Sequence, residues 1–139
     1  MANFNGMEFK QMNKPLLEDA VAIVPISNME QTLDFYKNVL CFESQEVSDD
    51  NIFATVKHEG AAIHLIQGDD KAALTATRNN ISIYIWTKKL DELYATLEPG
   101  LSKLPLERIR APFEQPYGMR EFHVKDPDGC LLMFGEAIE

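Results

Sequence analysis

The chain has 139 residues, of which 45% are hydrophobic, and a formal net charge of −9. This length fits one domain, or two small modules that share a core, and the apolar content excludes global disorder. The negative charge would repel phosphates, which argues against nucleic acid as a partner, and it would favour a cationic ligand. Solubility is a simpler reason for the same charge.

Cysteine usage and the lack of long apolar runs indicate the compartment. The two cysteines, Cys41 and Cys130, are too few for a disulfide framework and too isolated for a zinc knuckle, which fits a reducing compartment. Residues 1–18 form a polar N-terminal extension without an apolar run of signal-peptide length. No stretch approaches the roughly 20 apolar residues that cross a bilayer. We therefore expect a cytoplasmic protein that does not bind membranes.

The first half of the chain predicts a strand, a helix and three more strands. Residues 20–26 are an apolar strand, in which Pro25 lacks an amide donor and marks an edge or a bulge. Ser27 and Glu30 form a capping box, and apolar residues then recur at helical spacing, so residues 28–40 are predicted to be a helix. Three short strands follow at residues 42–47, 52–58 and 61–67.

The same order of elements returns later in the chain. A strand at residues 81–86 matches the first strand at an offset of about 61 residues, with Thr87 as the predicted helix cap. Pro99 and Gly100 are expected to end the second helix. The alternative is that two amphipathic helices coincide by chance.

Past the next loop the offset grows to about 69 residues. Phe53 then matches Phe122, and the turn residue Gly60 matches Gly129. The matching turn glycines favour a true repeat over coincidence. Two such units would each leave one concave sheet face.

Two motifs resemble the vicinal-oxygen-chelate superfamily, which includes glyoxalase I, extradiol dioxygenases and bleomycin-resistance proteins. Residues 24–28 and 35–43 are similar to its opening strand and its "FYxxxLGFE" helix exit. Residues 117–122 and 126–135 resemble the closing "WGMREF…DPDGNLLRFGE" of the bleomycin-resistance branch. The resemblance covers about residues 19–137.

This resemblance implies an α+β fold in which two βαβββ modules form a half-open barrel around a concave cavity. The modules are expected at residues 19–70 and 71–139, as one domain within a homodimer. Family members that use a metal place its ligands on the first and fourth strands of each module, and the matching positions here are Val21, His64, Ser82 and Met133. Only His64 binds divalent ions well, whereas catalytic sites need about three protein ligands. We therefore expect no metal, no cofactor and no catalytic residue.

The remaining candidates are aromatic. Ser82, Tyr84 and Trp86 share one face of their strand, and aromatic rings hold planar or cationic ligands with about 0.5–2 kcal/mol per contact. The alternative is that both rings are core residues. Tyr117 takes the place of the family's tryptophan near the cavity mouth, or is a structural plug, and His64 offers a hydrogen bond or is a satisfied strand histidine. The predicted ligand-binding residues are His64, Tyr84, Trp86, Tyr117 and Met133.

The leading hypothesis is a non-catalytic, metal-free protein that resembles bleomycin-resistance proteins and sequesters a planar or cationic small molecule, such as an antibiotic. The alternative is a metal-dependent lyase, isomerase or dioxygenase of the glyoxalase type. A third class is an interaction module without a small ligand, in which Trp86 and Met133 close the cavity. Arg120 is expected to form an ion pair, and the segment around Glu121 to organise the closing hairpin.

Overall fold

The structure, a computed structural model, describes residues 15–139. Residues 1–14, and with them most of the extension expected at residues 1–18, lie outside the described part. Residues 15–21 contain no helix or strand, and Leu16 and Leu17 are exposed there. Within the described residues, every helix is too short or too polar to cross a membrane.

The first sheet has the strand order β1-β4-β3-β2. Its strands are β1 (Ala22–Ile26), β2 (Glu43–Val47), β3 (Phe53–His58) and β4 (Ala61–Gln67). The pair of β1 and β4 is parallel, and the other neighbours are antiparallel. Pro25 lies on the edge strand β1, as predicted. Helix α1 (Met29–Asp34) continues as a π-helix over Phe35–Val39.

The second sheet repeats this topology with the order β5-β8-β7-β6. Its strands are β5 (Ser82–Trp86), β6 (Ile109–Gln115), β7 (Met119–Lys125) and β8 (Leu131–Ala137). Helix α2 (Lys71–Arg78) precedes β5, and α3 (Leu90–Leu101) follows it, with a 3₁₀ turn at Leu106–Arg108. Two mixed four-stranded sheets with helices confirm the α+β class and the two βαβββ units, and neither sheet closes into a barrel. Helix α2 was not predicted, and the division at residues 70 and 71 stays a prediction.

The parallel strand pairs have the same register in both sheets. Ala22 pairs with Ile63 in the first sheet, and Ile83 pairs with Leu132 in the second. These pairs stand at the predicted offsets of 61 and 69 residues. The internal repeat is therefore present in the hydrogen-bonding pattern.

The match of Phe53 with Phe122 is wrong by one residue. Ala54 pairs with Leu65 in the first sheet, and Phe122 pairs with Phe134 in the second, so Phe122 corresponds to Ala54. The reason is that five residues separate the paired Lys125 and Leu131, whereas four residues separate the corresponding pair, Lys57 and Ala62. Ala54 and Phe122 are both fully buried.

Both predicted helix starts are displaced. Asn28 caps α1, because its Oδ1 accepts the N–H of Gln31 at 2.9 Å. Ser27 instead donates its N–H to the carboxylate of Asp128 at 3.1 Å, and its hydroxyl bonds the same carboxylate. Thr87 lies two residues before the cap of α3. Ser27, which was predicted to cap the helix locally, instead joins two segments that are distant in the chain.

Pro99 and Gly100 do not end the second helix, which continues to Leu101. Leu101 is fully buried, so tertiary packing holds the last turn in helical conformation. A Cβ on Gly100 would lie 2.9 Å from the carbonyl oxygen of Asn38 and from the Cα of Val39. The missing side chain at Gly100 therefore lets α3 approach the π-helical end of α1, and the helices of the two modules meet there.

Arg78, at the end of α2, is a buried cation between two buried carboxylates. Its Nη1 lies 3.2 Å from Oδ2 of Asp126, and its Nη2 contacts Asp128. The other oxygen of Asp126 accepts the N–H groups of Asp128 and Cys130 at 2.9 and 2.8 Å. Burial raises the pKa of Asp126, and the charge of Arg78 opposes that rise. The β7–β8 turn is thus fixed to α2 and, through Ser27, to the start of α1.

We expect Arg78→Met to lower the free energy of unfolding by about 3–5 kcal/mol, because it leaves two buried carboxylates without their counter-ion. Chemical denaturation followed by circular dichroism measures the change. Lys71→Met, at an exposed position of the same helix, is the control and should change stability by less than about 0.5 kcal/mol. If Arg78→Met and Lys71→Met changed the free energy of unfolding by the same small amount, the buried ion pairs would not stabilise the fold.

Candidate functional site

One face of the second sheet collects polar and aromatic side chains from all four strands. The register sets Tyr84 opposite Met133, and Met133 opposite His123. Side chains alternate along a strand, so Trp86 and Glu121, two residues from Tyr84 and His123, lie on the same face. The opposite face of the sheet packs into the core.

Glu121 is the hydrogen-bonding centre of this face. Its Oε2 accepts from the hydroxyls of Tyr84 at 2.9 Å and Tyr117 at 2.6 Å. Its Oε1 accepts from Nε2 of Gln115 at 3.0 Å and lies 2.8 Å from Nε2 of His123. An ionised carboxylate is only an acceptor, so Nε2 of His123 is the donor in this contact. We call these five residues the Glu121 cluster.

The hydrogen bonds stabilise the negative charge of Glu121. Its side chain has no exposed surface, and this burial raises the pKa. The four hydrogen bonds more than compensate, and the pKa falls from 4.5 to about 2. Burial and the bond to Glu121 raise the pKa of Tyr84 to about 12, and the bond to Glu121 also raises the pKa of Tyr117. At neutral pH the cluster therefore holds an ionised carboxylate and two protonated phenols.

Gly135 makes the contact between Tyr84 and Glu121 possible. It lies on β8 between the two strands and pairs with both Trp86 and Glu121. A Cβ at Gly135 would overlap the hydroxyl and ring of Tyr84. Because no side chain is present there, the phenol of Tyr84 crosses β8 and reaches the carboxylate on β7.

The rings above the carboxylate are open to solvent. Trp86 is 74% exposed and Tyr117 is 60% exposed, so neither is a core residue of this chain. The rings of Tyr84 and Trp86 lie 5.2 Å apart at an angle of 62°, which forms a corner with two aromatic walls. Such a corner can stack a flat group on one wall while its edge meets the other.

His64 lies on the first sheet, whereas Tyr84, Trp86 and Met133 lie on the second. Its partners are Ile23 on β1 and Thr55 on β3, and its ring is 5.4 Å from that of Phe53. Among residues 15–139, no hydrogen bond between side chains and no ring contact joins His64 to Tyr84, Trp86, Tyr117 or Met133. Its face of the first sheet has exposed apolar side chains, namely Val21, Ile23 and Ile66.

The four positions that correspond to metal ligands do not fit a metal centre. Val21 precedes β1 and offers only hydrocarbon, while Met133 offers a thioether. His64 and Ser82 belong to different sheets. Across the described residues, no three His, Cys, Asp or Glu side chains are placed to share an ion.

Sequence reasoning missed three members of the cluster: Gln115, Glu121 and His123. The expected ion pair of Arg120 is formed with Asp91, at 2.9 Å. Alternation along β7 turns Arg120 to the helix side of the sheet and Glu121 to the aromatic side. That alternation is visible in the sequence, and it is the signal that would have found Glu121 and His123.

The Glyoxalase/Bleomycin resistance protein/Dioxygenase superfamily model matches residues 19–134. The chain belongs to this superfamily. No curated protein sequence matches it.

Solved structures share the fold along nearly the whole chain. The bleomycin-binding protein of Streptomyces verticillus, complexed with copper(II)-bleomycin, is 23% identical with a TM-score of 0.71, over 91% of this chain and 100% of that one. A bleomycin resistance determinant encoded on the transposon Tn5 is 20% identical with a TM-score of 0.70, over 87% and 98%. A glyoxalase-related enzyme from Clostridium phytofermentans is 17% identical with a TM-score of 0.66, over 91% and 99%. At these identities the similarity establishes the fold.

We expect the stabilisation from ionised Glu121 to disappear in acid. Its folded-state pKa is lowered, so this contribution is complete above the unfolded value of 4.5 and is lost as the pH falls to about 2. The shift corresponds to about 3 kcal/mol, at about 1.36 kcal/mol per pH unit. Urea denaturation should show the stability difference between wild type and Glu121→Gln shrinking over this range. Glu114→Gln, which removes an exposed charge from β6, is the control, and a difference independent of pH would contradict the assignment.

Proposed function

We propose that this protein binds and sequesters a small planar or cationic molecule, such as an antibiotic, without catalysis and without a metal. The observation that carries the proposal is the aromatic corner of half-buried Tyr84 and exposed Trp86, in which Glu121 holds the hydroxyl of Tyr84. Support comes from the shared fold of two proteins named for bleomycin resistance and bleomycin binding. We also propose the cytoplasm as its location.

The arrangement suits binding because the rings are held before a ligand arrives. The hydroxyls of Tyr84 and Tyr117 end on one carboxylate oxygen, so these side chains lose little rotational freedom when a ligand stacks on them. Each stacking or cation–π contact contributes about 0.5–2 kcal/mol. Several such contacts give useful affinity, and protection by sequestration needs no chemical step.

We further propose a homodimer in which the first sheet of one copy faces the second sheet of its partner. The apolar side chains of Val21, Ile23 and Ile66 are exposed among residues 15–139, and association would remove them from water. The same arrangement would bring His64 of one copy to the aromatic face of the other. The cavity would then be lined by the predicted residues His64, Tyr84, Trp86, Tyr117 and Met133.

The alternative, a metal-dependent enzyme of the glyoxalase type, needs ligands that Val21, Ser82 and Met133 do not supply. Elemental analysis of the purified protein separates the two functions. Near-stoichiometric zinc, nickel, iron or manganese would favour the enzyme.

Binding can be followed through Trp86, the only tryptophan of the chain. We expect bleomycin, or another aromatic cation, to quench its fluorescence and to release heat in a calorimetric titration. Trp86→Ala should weaken the calorimetric affinity about tenfold or more, the equivalent of about 1.4 kcal/mol. Leu106→Ala removes a side chain that is 86% exposed in the 3₁₀ turn and should leave the affinity unchanged. If such ligands produced no heat and did not quench the fluorescence, the result would count against sequestration.

Sedimentation equilibrium tests the homodimer. We expect a mass twice that of the 15.8 kDa chain. Ile23→Lys places a charge on the uncovered face of the first sheet and should produce monomers, whereas Thr77→Lys, at an exposed position of α2, should not. A wild-type protein that stays monomeric at micromolar concentration would refute the proposed association.

A further inference from the structure

We propose that the Glu121 cluster makes the aromatic face selective for an organic cation, an ammonium or iminium group on an aromatic body, over a neutral molecule of the same shape. The inference rests on the proposed binding function and goes further, because it names the ligand's charge as the selected property. Glu121 is assigned as a specificity-determining residue that acts through Tyr84 and Tyr117.

The charge of Glu121 has no lysine or arginine counter-ion in the described part of the chain. The ion pairs of residues 15–139 include Glu121 only with His123, whose imidazole adds no charge when neutral. Arg120, the next residue along the chain, pairs with Asp91 on the other side of the sheet. A buried carboxylate without a lysine or arginine partner leaves a negative potential at the surface above it.

The side chains of Tyr84 and Tyr117 connect the charge of Glu121 to the surface on which a ligand would bind. The hydroxyls of Tyr84 and Tyr117 both donate to Oε2 of Glu121, at 2.9 and 2.6 Å. A hydrogen bond to an ionised acceptor is stronger than a neutral one, and it shifts electron density from the acceptor into the donor ring. Attraction of a cation depends on the negative face of the ring, so this polarisation strengthens the binding of cations. A neutral ligand gains nothing comparable.

A ligand can contact the exposed aromatic rings of this face but not the buried carboxylate of Glu121. Trp86 is 74% exposed and Tyr117 is 60% exposed, while Glu121 is fully buried. A cation can therefore lie on the ring faces without displacing any hydrogen bond of the cluster. Its attraction to Glu121 acts through a medium that is less polar than water, where a charge is felt more strongly.

A neighbouring ring on the same face already binds a cation. The guanidinium carbon of Arg110 lies 3.5 Å from the centre of the Phe113 ring. Phe113 pairs with Glu121 across β6 and β7, and the centres of the Phe113 and His123 rings lie 5.1 Å apart in an edge-to-face arrangement. The chain itself thus supplies one cation to this surface, and the corner of Tyr84 and Trp86 offers the next ring faces.

The test uses two probes of nearly the same shape: N-methylquinolinium, a permanent planar cation, and quinoline, which is neutral at neutral pH. Dissociation constants are measured by calorimetry for wild type, Glu121→Gln and Glu114→Gln. We expect wild type to prefer the cation about tenfold or more, and Glu121→Gln to lose that preference through weaker binding of the cation alone. Glu114→Gln removes the same unit of charge from an exposed site of the sheet and should keep the preference.

Two further measurements separate this role from a merely structural one. Tyr117→Phe keeps an exposed ring and the charge of Glu121 but removes one polarising hydrogen bond, so it should give an intermediate preference. Spectrophotometric titration should show Tyr84 ionising near pH 12 in wild type, and at lower pH in Glu121→Gln. Circular dichroism confirms that each variant is folded.

The outcomes are distinct. Equal wild-type affinity for the two probes would overturn the cation selectivity and leave the proposed binding function standing. Equal loss of preference in Glu114→Gln and Glu121→Gln would assign selectivity to the overall charge and overturn the role of Glu121. Failure of wild type to bind either probe would also overturn the inference, while the bleomycin titration decides sequestration separately.

Discussion

The ion pairs of Arg78 with Asp126 and Asp128 fix the relative position of segments that are far apart in the chain. A guanidinium without solvent contact needs its partners, because an unpaired buried charge costs several kcal/mol. The turn between β7 and β8 is therefore held against α2. Asp128 also accepts the N–H of Ser27, so the start of α1 is held at the same place. One buried cluster connects both modules and the helix between them.

The position of that turn determines where a binding face can form. Strands β7 and β8 leave it side by side, and alternation gives each strand a core face and a site face. Phe122 and Val124 pack into the core, while Glu121 and His123 point to the opposite side. The same ladder that buries the aromatic core thus sets the hydrogen-bond distances of the site. A site on such strands inherits their rigidity, which is what a preorganised binding surface requires.

The fold could be predicted from the sequence because burial leaves a periodic pattern, and β4 is observed at the predicted residues 61–67. The predictions of the helix ends were wrong where a contact with a distant segment outweighed the local sequence preference. Ser27 is bound by the β7–β8 turn, and Pro99 lies inside a helix that tertiary packing stabilises. The aromatic residues of the site carried a signal in their alternation. Alternation along β7 also assigns Glu121 to this face, but its hydrogen bond to Tyr84 depends on the phenol crossing β8 at Gly135, and only the register between strands reveals that crossing.

The chemistry of Glu121 also bears on the choice between binding and catalysis. A carboxylate offers about four lone-pair positions, and four donors meet this one, so no acceptor site is left for a substrate proton. A pKa of about 2 makes it a weak base, whereas a general base works best with a pKa near the operating pH. The same four bonds that hold the rings in place therefore make the carboxylate unsuitable for proton transfer. Glu121 can still act on a ligand through its charge. This supports the proposed binding of cations on this face over proton-transfer catalysis by Glu121.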